Sequence, residues 1–121
     1  MKEDFINKEI WMLTFGASFQ RAYAYVDNAS NETKVLFKNN TTVVVENMLA
    51  QYKTAKVTDG QHINNIKAVS DSSKKYSEIF NGGKINFGIA QKMLTLYLKY
   101  QWCLGNIKEP CLLYTSPSPR D

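Results

Sequence analysis

The chain has 121 residues, 44% hydrophobic and 21% charged, and a formal net charge of +4. No apolar run approaches the ~18 residues of a membrane-spanning helix, and the opening stretch MKEDFINKEI is too charged and interrupted for a secretory leader. A domain of this size buries roughly two-thirds of its unfolded surface, enough for one core, and a modest positive balance permits an anionic partner such as nucleic acid without requiring one.

The first helix is predicted over residues 4–26. Ile6, Ile10, Leu13 and Ala17 form one apolar stripe, and Met12, Phe15, Phe19 and Tyr23 a second at the same spacing, so burial on more than one side is expected. Residues 27–31, Asp-Asn-Ala-Ser-Asn, supply a turn with helix stop and start signals.

A second helix is predicted over residues 32–56. Asn39-Asn40-Thr41-Thr42 interrupts it and Val43-Val44-Val45 would suit a strand, but Val45, Met48, Leu49 and Tyr52 carry the helical period past the valines. The third helix opens with Thr58 and Gln61, the spacing of a capping box. Ile63, Ile66, Val69, Ser73, Tyr76 and Phe80 mark its inner face as far as a Gly82-Gly83 stop. Lys67, Asp71, Lys74, Lys75 and Glu78 mark a wet outer face.

The fourth segment, residues 86–104, is apolar on most sides, which predicts a helix in the middle of a bundle. On it Lys92, Thr95 and Lys99 share one narrow stripe, with Gly88 a turn earlier. The fold class expected is therefore all-α, a compact bundle of about four helices.

Residues 111–121, CLLYTSPSPRD, resemble a translated sequencing adapter when read back into codons. The expected organisation is a single helical domain over residues 1–110, cut short at its C-terminus, followed by an artefactual tail. Setting the tail aside leaves Cys103 as the lone cysteine. That excludes an internal disulfide and points to a reduced, cytoplasmic setting.

The run Phe87-Gly88-Ile89-Ala90-Gln91-Lys92 resembles the hairpin and helix start of the helix-hairpin-helix DNA glycosylases, with phenylalanine in place of the family's proline and Ala90 in place of its second glycine. The resemblance implies a DNA partner and a Schiff-base amine at Lys92. It also implies a phosphate-contacting turn at Gly88, Ile89 and Ala90, with Gln91 and Lys99 beside it. The family's catalytic aspartate would fall at or beyond the end of the native stretch.

The chemistry is coherent with that likeness. A lysine on an apolar helix loses hydration, and a second cation nearby also favours the neutral amine that attacks a sugar carbon. Residues 88–110, including Leu96-Tyr97-Leu98-Lys99-Tyr100 and Trp102-Cys103-Leu104-Gly105, are similar to a group of small bacterial and phage proteins, a likeness that implies no particular activity.

Each of these readings has a plainer counterpart. Lys92 and Lys99 could snorkel from a central helix to water, and Tyr97, Tyr100 and Trp102 are core residues before they are base-stacking ones. His62 reads as a surface or capping residue and Cys103 as an inert core thiol. Neither has a companion ligand nearby, so no metal and no cofactor is expected. Two functions follow: a DNA-associated protein with lyase-like chemistry at Lys92, or a non-enzymatic helical module that works through protein contacts.

Overall fold

Local signals place the helix ends, and burial chooses the faces. The computed structural model describes residues 2–20, 23–54 and 57–107. The elements are α1 (Lys2–Phe19), α2 (Asn31–Thr54), α3 (Asp59–Ser72), a 3₁₀ helix (Ser73–Ile79) and α4 (Phe87–Cys103). The fold is an all-α bundle of four helices. α4 lies against both α1 and α3, while α2 packs on α3 and the 3₁₀ helix. No described helix is long and apolar enough to cross a membrane. The adapter-like residues 111–121 lie outside the described residues.

α1 corrects the expectation of two buried stripes. Its inner face is Ile10, Trp11, Thr14, Phe15 and Ser18, whereas Met12 is 66% and Leu13 52% exposed. The sequence pattern misleads because two small hydroxyl residues, Thr14 and Ser18, occupy the inner face, where counting apolar positions passes over them. α1 also stops seven residues before the expected end, at Phe19. Tyr23 adopts a positive φ of 50°, and the chain then runs extended beside the end of the 3₁₀ helix. Val26 N–H donates to Ile79 O at 2.9 Å and Asn81 N–H to Ala24 O at 2.8 Å.

α2 runs unbroken through the Asn-Asn-Thr-Thr and triple-valine stretches. Thr42 Oγ1 donates to Lys38 O at 2.8 Å, so the hydroxyl bonds back into the helix instead of interrupting it. Phe37, Thr41, Val45, Met48 and Tyr52 form the buried face, four, four, three and four residues apart as a helix requires. Phe37 is the hub of the core. Its ring meets Phe15, Phe19, Tyr76 and Phe80 edge-on at centroid distances of 6.1, 6.0, 6.3 and 4.8 Å, an arrangement that favours ring quadrupoles.

The capping box forms as expected: Gln61 N–H donates to Thr58 Oγ1 at 3.1 Å and Thr58 N–H to Gln61 Oε1 at 3.2 Å. The helix does not continue to the glycines, however. Ser72 Oγ and Ser73 Oγ donate to Val69 O and Ser70 O at 2.7 and 2.6 Å, and such local bonds compete with the α ladder. The chain tightens into the 3₁₀ helix, with Tyr76 at non-helical φ and ψ of −116° and 34°. Ile63 is exposed, leaving Ile66 and Val69 as the apolar inner face of α3.

Gly82 and Gly83 both take positive φ, 86° and 83°, a region that glycine enters without steric cost. They turn the chain back so that Ile85 N–H donates to Ser73 Oγ (2.9 Å) and Ile85 O accepts from Ser70 Oγ (2.6 Å). These two buried serines fix where α4 begins. On α4 the inward residues are Ile89, Ala90, Met93, Leu94, Tyr97, Leu98 and Gln101. Burial is confined to that face: Trp102 and Leu104 are 43% and 48% exposed, and Cys103 is an exposed thiol where a core thiol was expected.

Candidate functional site

An open groove of about 670 Å³ lies between α1 and α2. Its α1 wall carries Asn7, Lys8, Trp11, Met12, Phe15, Gly16 and Phe19, and its α2 wall Lys38, Asn39 and Thr42, with Tyr25 closing one end. The helical period explains the α1 set. Positions 7, 11 and 15 fall on the edge of the inner face that turns toward α2. Gly16 has nothing within 4 Å of a virtual Cβ, so the wall is low there and the groove open.

The aromatic floor is held from behind. The Trp11 indole stacks on Tyr97 at 4.5 Å, and its Nε1–H donates to Glu46 Oε2 at 3.2 Å. Asn7 Nδ2 donates to the same oxygen at 3.0 Å. Phe19 stacks on Tyr25 at 5.2 Å, and Tyr25 on Phe80 at 5.5 Å. Burial pushes the Tyr25 phenol up to about 12. Burial, followed by the Glu46 carboxylate, does the same for Tyr97, also to about 12. Both phenols therefore stay neutral across the physiological range.

Cations rim the groove. Lys34 Nζ sits 4.5 Å from the Tyr25 ring centroid and Lys38 Nζ 5.7 Å from that of Phe15, with Lys8 on the opposite wall. Each of these contacts lies within the cation–π range. Among the described residues the ion pairs are those of Asp71 with Lys74 and Lys84; Lys8, Lys34 and Lys38 have no acidic partner there. A second groove, of about 500 Å³, is lined by Ile6, Asn7, Ile10, Leu49, Tyr97 and Gln101, among others. Asn7 borders both grooves, and Glu46 lines neither.

The residues singled out from the sequence lie elsewhere. Lys92 and Lys99 are exposed on the outer side of α4, Gln91 is half-buried, and Ile89 and Ala90 are in the core. Neither lysine lines either of these grooves, and both are exposed, where loss of hydration on an apolar helix was expected of Lys92. The cause is register: the pairs 89/90, 93/94 and 97/98 face inward, which turns positions 92 and 99 to water.

Gly88 is already helical, within the first turn of α4. Two of the three amides expected to hold a phosphate there are occupied. Ile89 N–H donates to Asn86 Oδ1 at 2.8 Å and Ala90 N–H to Asn86 O at 3.1 Å. The hollow beside that helix start, lined by Lys67, Ser70, Asp71, Lys84, Asn86 and Phe87, also contains a carboxylate.

His62, expected at the surface, is instead 4% exposed. Its Nδ1 lies 2.8 Å from Tyr52 Oη, and that oxygen accepts from Asn65 Nδ2 at 2.9 Å. Burial lowers the imidazole below its ordinary value, with Asp59 pulling weakly the other way. Sequence reading missed Trp11, Lys8, Lys34 and Lys38. The available signal was helical spacing: Trp11 lies three residues from Lys8 and four from Asn7 on α1, and Lys34 and Lys38 are four apart on α2. Compared with protein families, characterised proteins and solved structures, the chain matches none.

Proposed function

We propose that this protein binds single-stranded nucleic acid in the α1–α2 groove, without doing chemistry on it. The observation that carries the reading is the pairing of two partly exposed rings, Phe19 and Tyr25, set beside the buried Trp11 and Phe15, with three lysines that have no acidic partner among the described residues. Stacking surface plus backbone-tracking cations is the general solution for binding an unpaired strand. A ligand of this class exchanges partners with little loss, because Lys34 and Lys38 can leave the rings for phosphates while a base takes their place.

The test is fluorescence anisotropy with a labelled 12-mer single strand and its duplex, between 50 and 200 mM salt. Three lysines neutralising about three phosphates give a slope of log K against log salt of about −2 for a single strand. Each of Lys8→Glu, Lys34→Glu and Lys38→Glu weakens binding and flattens the slope. Absence of single-strand binding at 50 mM salt, or unchanged affinity in all three variants, overturns the reading.

A second reading rests on a different observation. Phe5 and Leu13 are exposed on α1 outside the groove lining, which suits a module that works through protein contacts. Pull-down of a partner lost on Leu13→Lys, with no oligonucleotide affinity, would favour it.

A further inference from the structure

We infer that Tyr23 is a stacking platform for the bound strand just beyond the Tyr25 end of the groove, adding a base contact outside the groove lining. The inference rests on the nucleic-acid reading above and extends it to a further binding residue.

Tyr23 combines two features that ordinary packing does not explain. Its φ of 50° lies in the left-handed region, where a bulky side chain crowds its own backbone. Its side chain is 86% exposed, more than any other large hydrophobic among the described residues. The fold therefore gains no buried ring from the strain, and glycine or asparagine would take the same turn at lower cost.

The conformation is held from across the chain. Asn81 Nδ2 donates to Tyr23 O at 2.9 Å and to Tyr25 O at 3.2 Å, and Asn81 N–H donates to Ala24 O at 2.8 Å. One residue thus grips three successive carbonyls. Sparsely populated backbone persists where its surroundings over-determine it in this way, and it clusters at functional sites.

Position supplies the ligand. Tyr25 closes one end of the groove, with Lys34 Nζ over its ring. Two residues of chain span at most about 7 Å, so Tyr23 stands beside that end, where a strand leaving the groove past Tyr25 meets it. A tyrosine gives a base a flat face while ordering only two side-chain torsions, and removing one such stack weakens binding about tenfold. A stacked ring neutralises no phosphate, so this contact adds nothing to the salt dependence.

The experiment is anisotropy with the labelled 12-mer single strand, across the same salt range, on the full chain and on Tyr23→Gly and Tyr23→Phe, with urea unfolding of each. Tyr23→Gly is expected to bind about tenfold more weakly with the parent's salt slope, unlike the lysine variants, which flatten it. Its urea midpoint is held or raised, because glycine takes a positive φ without strain. Tyr23→Phe keeps the ring and binds as the parent does. Affinity of Tyr23→Gly within about twofold of the parent, a flattened slope, a lowered urea midpoint, or Tyr23→Phe as weak as Tyr23→Gly overturns the inference while the groove reading stands. Failure of the parent to bind the strand overturns the nucleic-acid reading itself.

Discussion

Replacing Tyr52 with phenylalanine deletes one oxygen on which two buried side chains depend. Asn65 Nδ2 donates to Tyr52 Oη at 2.9 Å, and Tyr52 Oη shares a 2.8 Å hydrogen bond with His62 Nδ1 whose donor is set by the imidazole tautomer. The other ring nitrogen, Nε2, is buried with no hydrogen-bond partner among the described residues. Asn65 keeps its second acceptor, Gln51 Oε1 at 3.1 Å; His62 Nδ1 is left with nothing. Two net hydrogen bonds at about 1 kcal/mol each give an expected loss of about 2 kcal/mol for Tyr52→Phe at pH 7.5, read by urea unfolding.

The same site makes stability depend on pH. Burial lowers the folded His62 below its ordinary 6.5, so between that value and the lower folded one the unfolded chain binds more protons. Stability is full above about pH 6.5 and falls as pH drops through this window, at no more than about 1.4 kcal/mol per pH unit. His62→Gln removes this slope between pH 7.5 and 5.5. A Tyr52→Phe loss below about 0.5 kcal/mol, or the parent's slope persisting in His62→Gln, would refute the account of the buried triad.

Two further substitutions test the core and the outer face of α4. Phe37→Ala removes a ring with no exposed surface and four aromatic neighbours; it costs about 3–5 kcal/mol, a large share of the ~5–15 kcal/mol of a typical domain. Circular dichroism in urea measures it, and a loss under about 1.5 kcal/mol contradicts the placement of the core. Lys92→Gln, on an exposed side chain, changes stability by less than about 0.5 kcal/mol and leaves oligonucleotide affinity as it was. A borohydride-trapped adduct with abasic DNA that disappears in Lys92→Gln would move the functional site from the α1–α2 groove to α4.

Helix identity and several helix ends were written locally, in the chain itself. The Thr58/Gln61 box and the two glycines at 82 and 83 act over a few residues, and each takes the geometry its side chain or missing Cβ dictates. The polar outer residues Lys67, Asp71, Lys74, Lys75 and Glu78 are likewise exposed as their pattern implied. Which face of a helix is buried is a different kind of fact, because it depends on what lies opposite. Trp11 is inside because Tyr97 and Glu46 are there to meet its ring and its N–H, while Leu13, no less hydrophobic, faces outward. His62 is buried because Tyr52, ten residues away, brings a hydroxyl to it. Lys92 is outside because its neighbours at 93 and 94 are needed against α1 and α3. The groove joins Asn7 and Lys8 of one helix to Lys38 and Asn39 of another, groups about thirty residues apart in the chain. Periodicity reports on one helix at a time, and only packing in three dimensions brings these side chains together.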